Sequence, residues 1–578
     1  MRIVIRILLL LAVLGATFSL AQNPPIQHVI VVVQENRTPD NLFQQDSTLI
    51  TNGADIASSG SCHGTGVPLH GRPLADCYDS GHGHKGPWVS MYDNGLMDGA
   101  CDIQISVFGL CNPPVHPQYV YIDNSSGVVS PYFQIAERYG YGNYMFQTNQ
   151  GPSLPAHQFL LSGSSSPSGV MNPLYAYFDA ENSHGPNGSI LDSGCSADPT
   201  QYALLIDPQG TEGSCPNDIH CAHPCYEHPT LTDLLDNHKD GNGNPQPITW
   251  RYYSDQEKSY WTAPNAISHL CNNDAGNHGC GTGMGSNHDW TTNVKPYLEK
   301  TRTTLAPFLV DVSSPNCQLA QVTWVIPDGR WSDHPGSIGL GPDWVANIVN
   351  SIGTSPCHDV IGGKSYSFWQ DSVILITWDD WGGWYDHISP QNTINIGYPN
   401  NTGQKYVYGF RVPLLVVSPY VKLTNGNPGY ISGPKTSPIY YDFGSILLFI
   451  ENTFGLLGGS VQGINPIYPY ADQFAGLRTP LADLSDFFDY TQTQRTFSQP
   501  ITLHNDSTLC NMNKCMSNQC DATCFINYPG NPQAPELTEG DESDYPRPAA
   551  AGAWRWRLLP RAAARRLRTP LRRHRNTA

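Results

Sequence analysis

The chain has 578 residues, 39% hydrophobic and only 14% charged, with 54 Gly and 48 Pro. Such proportions describe a large, folded, loop-rich protein and exclude a coiled coil or a disordered chain. A formal net charge of −18 leaves most of the chain without the basic footprint of a general nucleic-acid binder.

Residues 1–21 have the layout of an export signal. Arg2 and Arg6 form a basic start, Ile7 to Val13 an apolar centre, and Ser19-Leu20-Ala21 supplies the small residues a signal peptidase needs. A membrane anchor is the competing reading, but that apolar run is short for a span and no later stretch is longer. The expectation is a secreted or periplasmic protein. Sixteen scattered cysteines suit an oxidising compartment. Two clusters also invite a zinc reading: Cys215, Cys221 and Cys225 among His220, His223 and His228, and Cys510 to Cys524. Neither has paired CxxC spacing, so disulfides are favoured.

The mature chain opens on Ile26 to Val33, a β-branched run that reads as a buried strand. It stops at Gln34-Glu-Asn-Arg-Thr-Pro-Asp40, where Glu35 and Asn36 stand at the strand end and Pro39 prevents continuation. Residues from about 52 to 124 are rich in Gly, Cys and His and read as irregular, with an HxH pair at His82 and His84. Next, Pro152 and Pro155 bracket Ser153 at the start of a short apolar helical segment. A serine there either caps the helix or stands where backbone N–H groups favour an anion. From about 169 to 285 the chain is loop-rich and holds many of the cysteines, without internal repeats. It reads as a long insertion carrying short apolar patches at Tyr202 to Ile206 and Ile248 to Tyr253.

Gln321 to Pro327 is another strand candidate, and helical spacing follows from Asp343 to Ile352, so His334 falls in a strand-to-helix loop. The most informative stretch is Ile374-Leu-Ile-Thr-Trp-Asp-Asp-Trp-Gly-Gly-Trp-Tyr-Asp-His387. An apolar strand there ends in two adjacent carboxylates, Asp379 and Asp380, before a Gly-Gly turn. Adjacent carboxylates at a strand end are costly unless a cation lies between them; the alternative is a turn or helix start that is simply acidic. Val412 to Pro419 reads as a strand and Asp442 to Phe454 as a helix. Alternating short strands and helices predict an α/β fold, with candidate ligands gathered at the carboxyl ends of the strands if the sheet is parallel.

These stretches together resemble the secreted phosphoesterase family that includes bacterial phospholipases C, an acid phosphatase branch and plant non-specific phospholipases C. The resemblance rests on Gln34 to Asp40, Gly151 to Pro155, Asp333-His-Pro335 with Gly341 to Val345, Trp378 to His387, and Arg411 to Tyr420. It implies an alkaline-phosphatase-like core, a central mostly parallel sheet flanked by helices and carrying long Cys-rich loop insertions. It also implies one divalent metal ion of unknown identity, with Glu35, Asn36, Asp379 and Asp380 as ligands. Ser153 matches the nucleophile, a threonine in many relatives. His334 matches a histidine that contacts the phosphoryl group. A second such histidine is His84 or His82, spacing favouring His84, and His288 is a third candidate. Two departures, Phe443 beside Gly444 and His157 four residues after Ser153, bear on headgroup selectivity.

The resulting expectation is a phospholipase C that attacks a phospholipid through a phosphoserine, with transient contact at a membrane surface and no protein partner or nucleic acid. Trp381, Trp384 and Tyr385 would supply an apolar approach for lipid. The alternatives are an acid phosphatase acting on soluble phosphomonoesters and a secreted binding protein without turnover. The expected organisation is a catalytic domain over 22–490 and a Cys-rich appendage over 491–528. An Arg-rich, disordered tail over 529–578 follows; it holds ten arginines and no acid from Arg547 onward.

Overall fold

The structure, a computed structural model, describes residues 26–107, 112–167, 177–185, 193–207, 211–213, 215, 218–254, 256–272, 279–282, 289–298, 306–329, 331–335, 339–390, 408–456 and 482–504. The export signal, Cys510 to Cys524, the Arg-rich tail and His288 lie outside them.

Nine strands carry the argument in chain order: β1 (His28–Gln34), β2 (Gly140–Gly142), β3 (Trp250–Tyr253), β4 (Val322–Val325), β5 (His358–Ile361), β6 (Lys364–Ser367), β7 (Ser372–Trp378), β8 (Leu414–Val417) and β9 (Tyr430–Ser432). Seven of them build one sheet in the order β3-β4-β1-β7-β8-β2-β9, and β5 and β6 form a separate hairpin. Only β8 runs against the rest of this sheet. Every residue of β1 and β7 is buried, which explains their unbroken apolar character: strands covered on both faces have no polar alternation.

Five helices matter here: α1 (Pro39–Phe43), α2 (Ser130–Arg138), α3 (Ser153–Ser162), α4 (Gly341–Gly353) and α5 (Phe443–Phe454). Strand register shows how they layer. Val31 pairs with Trp324 and Gln34 with Trp378, and residues three apart on one strand point to opposite faces. The Trp324 indole N–H donates to the Leu160 carbonyl of α3, whereas Trp378 packs edge-on against Tyr132 of α2. Thus α3 and α2 cover opposite faces; α5 packs beside α3 and α4 beside α2. The fold is mixed α/β with a covered, mostly parallel sheet, as the alternating pattern predicts.

One sequence expectation needs correcting. The patch ending at Tyr253 is not part of an insertion alone. It forms β3, the edge of the central sheet, paired in parallel with β4. The irregular region from 52 to 124 also contains short strands, among them the hairpin formed by Ser59–Cys62 and Thr65–Pro68.

Five disulfides join described cysteines: Cys62–Cys101, Cys195–Cys225, Cys215–Cys221, Cys271–Cys280 and Cys317–Cys357. They resolve the Cys215, Cys221 and Cys225 cluster in favour of disulfides over zinc. Residues 491–504 return to the sheet domain, where Ile501 is buried and His504 meets Asp343 of α4. Among the described residues no helix is long and apolar enough to cross a membrane.

Candidate active site

Parallel pairing of β1 with β7 in the register Gln34↔Trp378 brings their carboxyl ends side by side, and with them Glu35–Asn36 and Asp379–Asp380. Backbone bonds tie the two ends: Asp379 N–H donates to the Gln34 carbonyl at 2.8 Å and Arg37 N–H to the Asp380 carbonyl at 3.1 Å. Asn36 takes a left-handed backbone, φ 58°, which an asparagine tolerates better than most residues. Gly382 also has positive φ, +63°, and a Cβ built on it would lie 2.4 Å from the Asn36 carbonyl oxygen. The Gly-Gly turn therefore exists to let the two strand ends approach each other.

Ser153 arrives from the opposite side, at the first position of α3, after the chain leaves β2. Gly151 permits this entry, since a Cβ there would meet the Ala180 carbonyl at 2.0 Å. The N-cap residue is Pro152, so Ser153 stands at the first helical position and not at the cap. Its hydroxyl instead bonds the Asp379 carboxylate and lies 3.2 Å from Glu35 Oε2 and 3.4 Å from Asp380 Oδ2. All four side chains are fully buried. The capping alternative is excluded; the predicted serine and three predicted acids converge.

One residue in this group carried no chemical role in the sequence reading. His157 sits one helical turn beyond Ser153, on the same face. Its Nε2 is 3.1 Å from Glu35 Oε1 and 3.8 Å from Asp379 Oδ2. Burial pushes its pKa down to about 3, so the ring is neutral and available as a ligand. The signal was present in the i, i+4 spacing.

The histidines divide. His82 donates from Nδ1 to the Ser80 carbonyl, which leaves Nε2 as acceptor, 3.3 Å from the Asn36 amide nitrogen and 4.0 Å from Asp380 Oδ2. His334 is held by an Nδ1–H bond to the Pro335 carbonyl, with its ring 6.5 Å from that of His82. Gln34 fixes the approach of this loop: its side chain donates to Trp331 O and accepts from Asp333 N–H. His84, the histidine that spacing favours, lies apart. It pairs with Glu212 at 2.9 Å and stacks on Trp88.

The donor set fits a cation. Three buried carboxylates converge on one hydroxyl beside a neutral imidazole, and Asn36 Oδ1 is buried without a hydrogen-bond partner. Ligand atoms of Glu35, His157 and Asp379 lie within 4.8 Å of one another. The neighbouring Arg37 does not neutralise them, because its guanidinium turns to the carbonyls of Asp333 and Leu74. Oxygen-rich ligands with one nitrogen suit a divalent ion without selecting which.

A second polar network holds the loop behind these ligands. His387 lies 2.7 Å from Asp40 and 3.1 Å from Asp55, and Arg411 clasps Asp386. Burial would lower the His387 pKa, but Asp40 and Asp55 outweigh it and hold it up to about 9. The folded pKa thus exceeds the usual unfolded value of about 6.5. The stabilisation is present in full below that value and is lost as pH rises through 9, on the order of 3 kcal/mol. The urea midpoint of the wild-type chain is expected to fall between pH 6.5 and 9. In His387→Gln that slope should be shallower; an unchanged slope would remove His387 as its source.

A correction concerns the aromatic approach. Trp381, Trp384 and Tyr385 are buried, packed on Phe410, Tyr78 and Tyr119 respectively, and present no open apolar surface.

The Phosphoesterase family model matches residues 121–457. The chain is 23% identical over 185 residues to the hemolytic phospholipase C of Pseudomonas aeruginosa, covering 30% of this chain and 21% of that protein. It is 25% identical over 169 residues to phospholipase C B of Mycobacterium tuberculosis, covering 26% and 27%. Over 121 residues it is 31% identical to non-specific phospholipase C6 of Arabidopsis thaliana, covering 18% and 22%. The matched stretches span about a fifth to a quarter of the length of these relatives.

Proposed function

The chain belongs to the Phosphoesterase family, and from that premise we propose an exported, metal-dependent phosphoric-ester hydrolase of phospholipase C type on an alkaline-phosphatase-like core. The observation that carries this reading is the Ser153 hydroxyl at the start of α3, facing the carboxylates of Glu35, Asp379 and Asp380.

Glu35, Asp379, Asp380 and His157, with Asn36, would hold the divalent ion, which supplies a lowered hydroxyl pKa and neutralises phosphoryl charge. Ser153 is the nucleophile. Its proton passes to the Asp379 carboxylate that it already bonds, and Oγ attacks phosphorus in line as the bond to the leaving oxygen breaks. The N-terminal peptide groups of α3 oppose the charge on the equatorial oxygens. His82 and His334, whose rings lie 6.5 Å apart, contact the phosphoryl group, and one of them protonates the departing alkoxide. Water then hydrolyses the phosphoserine and restores the hydroxyl.

The relatives named for phospholipase C favour a glycerophospholipid substrate, with residues 22–490 as the catalytic region and 1–21 as its export signal. A second reading, an acid phosphatase acting on soluble monoesters, draws support from the burial of Trp381, Trp384 and Tyr385. Purified protein assayed on phosphatidylcholine vesicles and on a soluble aryl phosphate separates the two. Release of phosphocholine and diacylglycerol is the expected result. Release of inorganic phosphate from the aryl ester alone would make it a phosphatase, and turnover of neither would leave a binding protein.

A further inference from the structure

We propose a second cation site at the amino end of the sheet, where His28, Asp359 and Asp371 hold a divalent transition ion of the zinc class. His28 begins β1, at the end of the strand opposite Glu35. Strands rise about 3.3 Å per residue, so the two groups are roughly 20 Å apart. The site stands independently of the function proposed for Ser153.

Three segments meet there. His28 is buried, edge-on to the ring of Phe368, and its Nδ1–H donates to the Ala320 carbonyl at 2.8 Å. That bond is the usual outer partner of a metal-bound histidine, and it directs Nε2 at the acids. Asp359, on β5, brings Oδ2 to 2.6 Å from Nε2. Asp371, just before β7, is fully buried, and neither of its carboxylate oxygens has a hydrogen-bond partner. Its carbonyl accepts the N–H groups of Gln27 and His28, which keeps the side chain beside the imidazole. One ligand atom from each of the three lies within 4.8 Å of the other two.

The unpartnered Asp371 carboxylate decides the assignment. A protonated His28 satisfies Asp359 by direct contact and leaves a second buried acid with no donor. A divalent ion with a neutral imidazole balances both acids and gives the Asp371 oxygens a partner. One nitrogen and two carboxylates are a ligand set zinc accepts, with water in the remaining position. The Asp359 side chain is 35% exposed, so the site opens to solvent. The ion ties the β5–β6 hairpin to the starts of β1 and β7, at the junction that the Cys317–Cys357 disulfide also crosses.

The test is zinc content per chain, measured by mass spectrometry on full-length protein stripped with chelator and re-equilibrated with zinc. Asp371→Asn is expected to hold about one equivalent less than wild type, to lose part of the zinc-dependent rise in thermal midpoint, and to keep ester hydrolysis. Asp379→Asn removes the ion proposed for the Ser153 group and leaves this one, so the two counts are separable. Should Asp371→Asn fail to fold, Asp359→Asn, which alters a partly exposed side chain, carries the same comparison. Equal zinc content and equal midpoint response in wild type and variant would overturn the site and leave a histidine–carboxylate pair sharing protons.

Discussion

Ser153→Ala is expected to abolish ester hydrolysis, by on the order of 10⁴-fold or more in kcat, while the chain remains folded. Removing a nucleophile costs far more than removing a group that only helps to position substrate, because no covalent route remains. The geometry supports the first case. The hydroxyl is fully buried at the start of α3, one residue past the cap, and bonds an acid at the end of β7. Alanine fills that position without strain and deletes only the oxygen, so thermal stability should stay near wild type. Ser153→Thr keeps a hydroxyl in the same place and is expected to retain measurable turnover. A phosphorylated tryptic peptide containing Ser153, trapped by acid quench, would give the same answer by a route independent of rate. Full activity in Ser153→Ala, measured on whichever ester the wild-type protein hydrolyses, would eliminate this serine as the attacking group.

What was readable in advance follows from where the information resides. The ends of β1 and β7 were legible because a fully covered strand announces itself as an unbroken apolar run, and the acids that follow are conspicuous. Ser153 was legible through the prolines on either side, although local sequence favoured a cap and only the family resemblance favoured catalysis. Only the contact with Asp379 separates them, and that contact joins residues more than two hundred positions apart. His82 and His84 have the same local setting; the choice rests on which side of the loop meets Asn36 and which meets Glu212. β3 was missed as a sheet strand because a four-residue run with Arg251 in it is too short to show a period. The tryptophans of the Gly-Gly turn looked available to lipid because glycine-rich loops usually lie at the surface. Here, Gly60, Tyr78, Tyr119 and Phe410 pack over them.

The largest effect on stability is expected from Arg411→Met. Arg411 precedes β8 and is completely buried. Its guanidinium makes a two-pronged bond to Asp386, Nε to Oδ1 at 2.8 Å and Nη2 to Oδ2 at 2.9 Å. It also donates to the carbonyls of Asp55 and Asn143, both at 2.9 Å, and approaches Asp40 at 3.4 Å. Burial alone would lower its pKa, but Asp386 and Asp40 reverse this, and the charge is permanent. Methionine matches much of the volume and none of the charge. It would leave Asp386 buried without its counter-ion and Asp40 with His387 and the Ala57 N–H as its remaining partners. Breaking a buried pair from one side costs about 3–5 kcal/mol, more than the pair itself contributes. For a chain of this size that corresponds to a fall of roughly 3–5 °C in the unfolding midpoint. Arg411→Lys should recover little, since one ammonium cannot reproduce a planar fork with four separate acceptors. Arg411→Met with Asp386→Asn should recover more, because the uncompensated charge is removed along with its partner. The same network anchors the segment running from Asp379 to His387, so the single variant should also lose turnover at temperatures where it is still folded. A midpoint within a degree or two of wild type would show that Asp386 finds another donor and that this arginine does not hold the loop.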